Sequence, residues 1–381
     1  MFKKLALLTA ITTVFAGSAQ AQSSVTIYGI LDAGIVSVDG VGANNGRATQ
    51  FLNGGQVTSR LGFQGTEDLG GGLRSGFQLE SQIMPGTGTT GTTATSGAVN
   101  GMFSRQANVF LDHKTYGKLT LGRTTSSAYQ QFQANGDSRG FQNTGASGIF
   151  LNDGSSFGGT ATAKTGLSSL TGGLFVSNSV RYDSPELYGF KANLQYIPGG
   201  YADSDAGNAW SNGLQWSKYG FTASAGQYRA NSTTGAAAAQ TEFYAANYKW
   251  KDYGVFAGQV NMKNPSAESS ANGKFTLNSY GASWQAAPKV SVTGAFYTLQ
   301  DKVTTANKNN SYAATVNYDL SKRTRVYTTY AVSKNQGAEG FAAYGGGSAN
   351  INTLATANYP SVISNAGISQ TALAVGIRHS F

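Results

Sequence analysis

The sequence predicts an all-β fold: a closed, 16-stranded antiparallel β-barrel that crosses a membrane. Three observations predict it. Past an N-terminal leader, no run approaches the ~20 apolar residues that a membrane helix needs. Apolar and polar residues alternate with period two along the rest of the chain. The connections between those alternating stretches are short and long by turns.

The leader comes first. Lys3 and Lys4 make a positive start, Leu5 to Phe15 is apolar apart from scattered Thr, and Ala19-Gln20-Ala21 has the small-x-small cleavage pattern. Residues 1–21 therefore read as a secretory signal that is removed, leaving 22–381 as a single barrel domain that is exported.

Each strand is justified by its faces. In 24–37, Val25, Ile27, Gly29 and Leu31 share one side. In 56–66, Leu61 and Phe63 oppose Arg60 and Gln64, and in 72–83, Leu73, Phe77 and Leu79 oppose Arg74, Gln78 and Glu80. Strands 102–113, 116–123 and 175–183 follow, the last with Val180 and Tyr182 opposite Arg181 and Asp183. In 189–197, Phe190, Ala192, Leu194 and Tyr196 oppose Lys191, Asn193 and Gln195. The strands 209–217, 220–229, 240–250, 253–262, 274–284 and 290–299 continue the alternation. In 310–318, Tyr312, Ala314, Val316 and Tyr318 oppose Thr315 and Asn317. After 324–333, the final strand 370–381 sets Leu373, Val375 and Ile377 against Gly376 and Arg378. An even count lets the two ends meet and leaves no unpaired edge in lipid.

Seven connections are short and eight are long, in strict alternation. Short periplasmic turns and long extracellular loops are the mark of an outer-membrane barrel. The longest connection, 124–174, is the third long loop, and folding it inward would narrow a wide lumen. Aromatic residues such as Tyr28, Phe110, Tyr188, Tyr219, Trp250, Tyr253, Tyr318, Tyr327 and Phe381 recur near strand ends, as in an interfacial girdle.

Composition removes other classes. The 381 residues hold 51 Gly, 20 Tyr, 20 Phe, 6 Pro, 2 His and no Cys, with 27 basic and 18 acidic side chains for a net charge of +9. Disulfides, thiolate metal sites and a Cys nucleophile are excluded. The bases are scattered singly, unlike a nucleic-acid patch. His113 and His379 are not set for Ser–His chemistry. Gly136-Asp137-Ser138-Arg139-Gly140 lacks the strand-to-helix turn of a nucleophile elbow, and Gly86 to Gly91 has no helix after it. No enzyme activity, nucleic-acid partner, metal or cofactor is expected.

Parity selects the candidate site. Charges on a lipid face cost ~2–4 kcal/mol at midplane, so Arg60, Arg74, Arg181, Lys191, Glu80 and Asp183 are expected inside. Arg105 lies in Phe103–Val109, where neither face is plainly apolar. Asp137 and Asp153 are the acids of 124–174, balanced there by Arg139 and Lys164. These nine residues, Arg60, Arg74, Arg105, Arg181, Lys191, Glu80, Asp137, Asp153 and Asp183, are the expected pore constriction. Their balance predicts weak to moderate anion preference, since a low-dielectric wall focuses a small excess of charge.

Five stretches carry a resemblance: Val25–Gly34; Ser59–Leu73, containing Ser-Arg-Leu-Gly-Phe-Gln-Gly-Thr-Glu-Asp-Leu-Gly; Arg105-Gln106-Ala107 with Thr120-Leu121-Gly122-Arg123; Val180-Arg181-Tyr182-Asp183-Ser184-Pro185; and Tyr318–Thr324 with Val375–Phe381. In these the chain resembles the general diffusion porins of the Gram-negative outer membrane, of the beta-proteobacterial trimeric kind. The resemblance implies a homotrimer in which each subunit has its own water-filled pore. It implies passive diffusion of ions and small hydrophilic solutes, a basic cluster at Arg60, Arg105 and Arg181, and an assembly signal at Phe381 read by the barrel-insertion machinery. Lipid and lipopolysaccharide of the outer membrane are the other implied partners. One departure stands out: many relatives carry a Pro-Glu-Phe-like tip on the constriction loop, and 124–174 has neither Pro nor Glu. The alternative function is a substrate-specific outer-membrane channel for a sugar or an anionic solute, with a saturable site.

Overall fold

The computed structural model describes residues 24–41, 45–90, 101–136, 175–202, 204–265, 268, 273–337 and 369–381. The leader 1–21 lies outside the described residues, as do Asp137 and Asp153. Sixteen strands form the barrel. They are β1 (Ser24–Val41), β2 (Arg60–Gly70), β3 (Leu73–Met84), β4 (Gln106–His113), β5 (Gly117–Thr125), β6 (Phe175–Asp183), β7 (Phe190–Ile197) and β8 (Ala209–Lys218), then β9 (Phe221–Asn231), β10 (Ala237–Trp250), β11 (Tyr253–Lys263), β12 (Lys274–Ala287), β13 (Val290–Asp301), β14 (Lys308–Asp319), β15 (Thr324–Gln336) and β16 (Gln370–Ser380). Each pairs antiparallel with the next, and β16 returns to β1 from Ser380↔Ile30 to Thr371↔Asp39. The closing seam ends on Phe381, whose N–H and C=O both bond to Gly29, at 3.1 and 3.2 Å. No edge is left in the ring, as hydrocarbon requires.

Two short strands are additions to the ring. Gly46–Asn53 pairs with the upper half of β1, and Thr89–Thr90 pairs with the end of β3. Both lie in stretches expected to be loop, 38–55 and 84–101.

The polarity is that of a soluble protein turned inside out. Ser311, Thr315, Asn317 and Thr329 have no exposure, while Leu373, Val375 and Ile377 are about half exposed. This is the period-two pattern made physical: polar residues line a lumen and apolar residues meet lipid. Two aromatic tiers bound the apolar band. At the short-turn end, the rings of Tyr253 and Trp284 stack at 6.4 Å and Trp250 lies 6.3 Å from Tyr253. At the long-loop end, Phe296 stacks on Tyr280 at 6.4 Å and on Tyr312 at 4.8 Å. Above this second tier the outer face becomes polar along the cross-strand row Gln259, Asn278, Thr298, Asn310 and Lys334. There the inner face turns apolar instead, with Phe243, Val260, Met262, Phe275, Leu277 and Leu299 buried. The reversal marks where the wall leaves hydrocarbon and meets water on its outside.

Three aromatics expected in the girdle stand inside. Tyr28 bonds to Glu80 and Gln78, Tyr327 bonds to Asp32, and Phe110 lies over Gly76 beneath the Lys118 ammonium. Their parity is that of the polar neighbours, which outweighs position near a strand end. The turns are tight hairpins. Tyr219 and Gly220 have φ of 54° and 82°, the two left-handed residues of a type I′ turn, which matches the strand twist.

Candidate functional site

The lumen is narrowed from two sides by segments held against its wall. The first is helix α1 (Ser127–Asn135), in the described part of the 124–174 segment. It lies on the inner faces of β7 to β11. Ser211 accepts from the Ala128 N–H at 3.0 Å and Gln195 from the Ser127 N–H at 2.9 Å, which satisfies two of the free donors of the first turn. At the other end Asn135 donates to Gln215 at 3.0 Å and to Ser224 at 3.1 Å, and Asn247 donates to the Asn135 carbonyl at 3.2 Å. The Ser279 hydroxyl donates to the Gly136 carbonyl. The wall is shaped to take the helix. Gly213 and Gly226 are cross-strand partners, and Ala245 faces Gly258. A Cβ on Gly226 would lie 2.9 Å from the Ala128 Cα, and one on Gly213 2.6 Å from the Gln131 Cγ. Small residues there let a helix backbone approach the sheet closely.

The second segment, residues 54–59, leads into β2 and lies against β1, β14 and β15. Its anchor is Asp32, which has no exposure. The Asp32 carboxylate accepts from the N–H groups of Gly55, Gln56 and Val57 at 3.1, 2.8 and 2.8 Å, and from the Tyr327 hydroxyl at 2.7 Å. Gln56 crosses to Asn317 at 2.6 Å. A Cβ on Gly55 would fall 2.0 Å from the Tyr327 oxygen, so a larger residue there would have to displace the hydroxyl that Asp32 binds. Residues 56–59 were expected to begin the second strand. Three backbone donors drawn to one buried carboxylate hold them off the ladder, so β2 starts at Arg60.

Between these segments lie the charges. Arg105 precedes β4, its N–H bonded to the Glu80 carbonyl at 3.0 Å, and its guanidinium reaches the Glu80 carboxylate at 2.5 Å. Both side chains are buried, and Tyr28 donates to the second Glu80 oxygen at 3.1 Å. The irregular backbone before β4 explains why parity left Arg105 unassigned. Arg181 clasps Asp183 on the same strand, with Nη2 at 2.6 Å and Nε at 2.9 Å. Arg74 pairs with Asp112 across β3 and β4 at 2.5 Å, and Lys191 with Glu186 at 3.1 Å. These last two pairs sit beside the short turns, away from Arg60, Glu80 and Arg105. Arg60 differs from the rest. Its Nε donates to the Thr58 carbonyl at 3.0 Å, and among the described residues no carboxylate forms an ion pair with it.

Several lumen groups were not singled out from the sequence. Asp32 and Asp112 were hidden because an acid's partner lies on another strand. Arg123 is buried, bonded to the Ser104 carbonyl at 2.7 Å and the Ser177 hydroxyl at 2.6 Å. It sits where the β5–β6 register slips between Gly122 and Thr124, and a bulge defeats parity. Among the described residues no group of His, Asp or Glu could hold a metal ion.

The arrangement is a polar lumen lined by ion pairs together with Arg60 and Arg123, which form none among the described residues. Comparison with known proteins agrees in kind. A family model described as Gram-negative porin matches residues 6–338. An outer membrane porin protein of Bordetella pertussis is 29% identical, over 87% of this chain and 94% of its own length. Outer membrane porin protein 32 of Delftia acidovorans is 29% identical, over 96% of each chain. Among solved structures, an anion-selective porin from Comamonas acidovorans superposes with a TM-score of 0.73 at 25% identity, covering 94% of this chain and 100% of that one.

Proposed function

The chain belongs to the Gram-negative porin family, and from that premise we propose that it is a passive, anion-preferring diffusion channel whose preference is set at Arg60. It is an outer-membrane β-barrel through which ions and small hydrophilic solutes pass down their gradients. The reaction is transport alone, with no bond made or broken and no catalytic group required.

One observation carries the charge preference. Arg105 with Glu80 and Arg181 with Asp183 are close pairs whose far fields largely cancel, while Arg60 lacks such a partner among the described residues. In this reading an unpaired cation on a low-dielectric wall gives the constriction its sign. The two infolded segments set the size limit, with residues 124–174 as the constriction loop. The anion selectivity named for the Comamonas porin supports the same direction. The subunit works as a homotrimer, each with its own pore. The exposed Val25, Ile27, Val109 and Leu111 of β1 and β4 suit the contact between copies. Phe381, locked to Gly29 at the seam, serves as the assembly signal.

Single-channel recording of the purified protein across asymmetric KCl tests this. Open steps in threes and a reversal potential on the chloride side are expected. A potential on the potassium side would overturn the charge assignment. Conductance that saturates with one solute would favour a substrate-specific channel.

A further inference from the structure

A cavity of about 430 Å³ opens at the short-turn end of the lumen, between the β12–β13 and β14–β15 turns. Its lining holds Lys289, Lys322, Arg323, Arg325, Arg378 and a single acid, Asp319. That acid is already committed, since both its oxygens are bonded by Arg325, at 2.6 and 3.1 Å. Lys289, Lys322 and Arg323 form no ion pair among the described residues. The walls are fixed. The Ser321 N–H donates to the Thr324 carbonyl at 3.1 Å, and the Ser321 hydroxyl accepts from the N–H groups of Arg323 and Thr324 at 3.1 and 3.0 Å. The Asp319 N–H reaches the Lys289 carbonyl at 2.8 Å, and the Ser380 N–H reaches the Arg323 carbonyl at 2.9 Å. Arg325 and Arg378 face each other across β15 and β16, and Arg378 faces Asp32 across β16 and β1. The cavity is thus continuous with the wall row below residues 54–59.

We propose that this cavity is a binding site for a multivalent oxyanion, distinct from the constriction and located where solutes leave for the periplasm. A single chloride is too small to touch opposed walls of such a space. A phosphate-type anion offers several acceptor oxygens and several charges. Guanidinium groups bind such oxygens in a planar fork, and lysines supply flexible point charges. The turn-held backbone sets Lys322 and Arg323 beside Lys289, so part of the ordering cost of binding is met in the fold. The site extends the channel reading and rests on it for its route of access, not for its affinity.

The test uses inorganic pyrophosphate and the full-length, detergent-purified protein, by isothermal titration. Binding at one site per chain is expected. Lys322→Gln with Arg323→Gln should weaken it by at least about tenfold, through loss of two charge-assisted contacts. Lys218→Gln with Lys251→Gln removes the same charge from other turns at that end of the barrel and should leave the affinity within about twofold. Heat-modifiable migration on gels checks that both variants are folded. No binding, or equal weakening in the two double variants, would overturn the site. In bilayers, 1 M KCl screens long-range steering. There pyrophosphate should block more strongly from the short-turn side, and equal block from both sides would also count against the site. A protein that binds pyrophosphate yet conducts no KCl would leave the site standing and remove the channel reading.

Discussion

Replacing Arg60 by Gln should cut the anion preference, and the size of the cut follows from the wall. A unit charge acting on an ion ~7 Å away contributes ~0.6 kcal/mol at the dielectric of water and about twice that where the wall halves it. At 0.1 M salt the Debye length is about 10 Å, which halves both figures. An anion gains what a cation loses, so the permeability ratio should fall ~3–8-fold. At 1 M salt, with a Debye length of about 3 Å, the difference should nearly vanish. The control is Glu80→Gln with Arg105→Gln, which removes a buried pair in contact at 2.5 Å and leaves the net charge unchanged. That variant should keep a near wild-type ratio. The assay is the reversal potential across a tenfold KCl gradient, at low and at high total salt. A wild-type potential in Arg60→Gln, or an equal shift in the paired control, would refute the assignment of the lumen field to the Arg60 guanidinium.

Gly226→Leu places a side chain where a Cβ alone would stand 2.9 Å from the Ala128 Cα. The helix should leave the wall, and liposome-swelling assays should admit larger sugars than the wild type does; an unchanged cutoff would count against α1 as a narrowing element. Asp32→Asn puts an amide where three N–H groups and the Tyr327 hydroxyl converge, at a cost of about 1–3 kcal/mol per unmet donor. Its heat-modifiable transition should fall below that of wild type, and Tyr327→Phe should fall less because it removes one bond of the four. Val375→Arg puts a charge on the lipid face, about half exposed in the isolated chain, and should lower folding stability in bilayers by ~2–4 kcal/mol. A neutral result there would mean that β16 faces something other than hydrocarbon.

The period-two pattern made most of the barrel legible in advance. Water on one side and hydrocarbon on the other penalise every parity error, so Leu61, Phe63, Leu194 and Val375 had to share the outside and Arg181 had to face in. The short turns were legible for a similar reason, since pairs such as Lys251-Asp252 have little room for other geometry. Parity failed where the backbone leaves the ladder. Arg105 precedes its strand, Arg123 lies at a register slip, and residues 56–59 are drawn from the sheet by Asp32. A count of inner charges does not show how they pair, because a sequence gives charges singly. Four of the expected bases, Arg74, Arg105, Arg181 and Lys191, are matched by an acid close in space.

Residue order was enough to tell which face of most strands meets lipid, how many strands close the ring, and that the chain crosses a membrane on strands. These are local, repeated choices, each enforced by the cost of an unpaired backbone group or a charge in hydrocarbon. Only the folded ring shows which carboxylates Arg74, Arg105 and Arg181 touch, that a glycine trough holds α1, and that Arg60 has no ion-pair partner among the described residues. Those facts depend on strands far apart in the chain lying at a fixed register, and no local pattern encodes a distance between them.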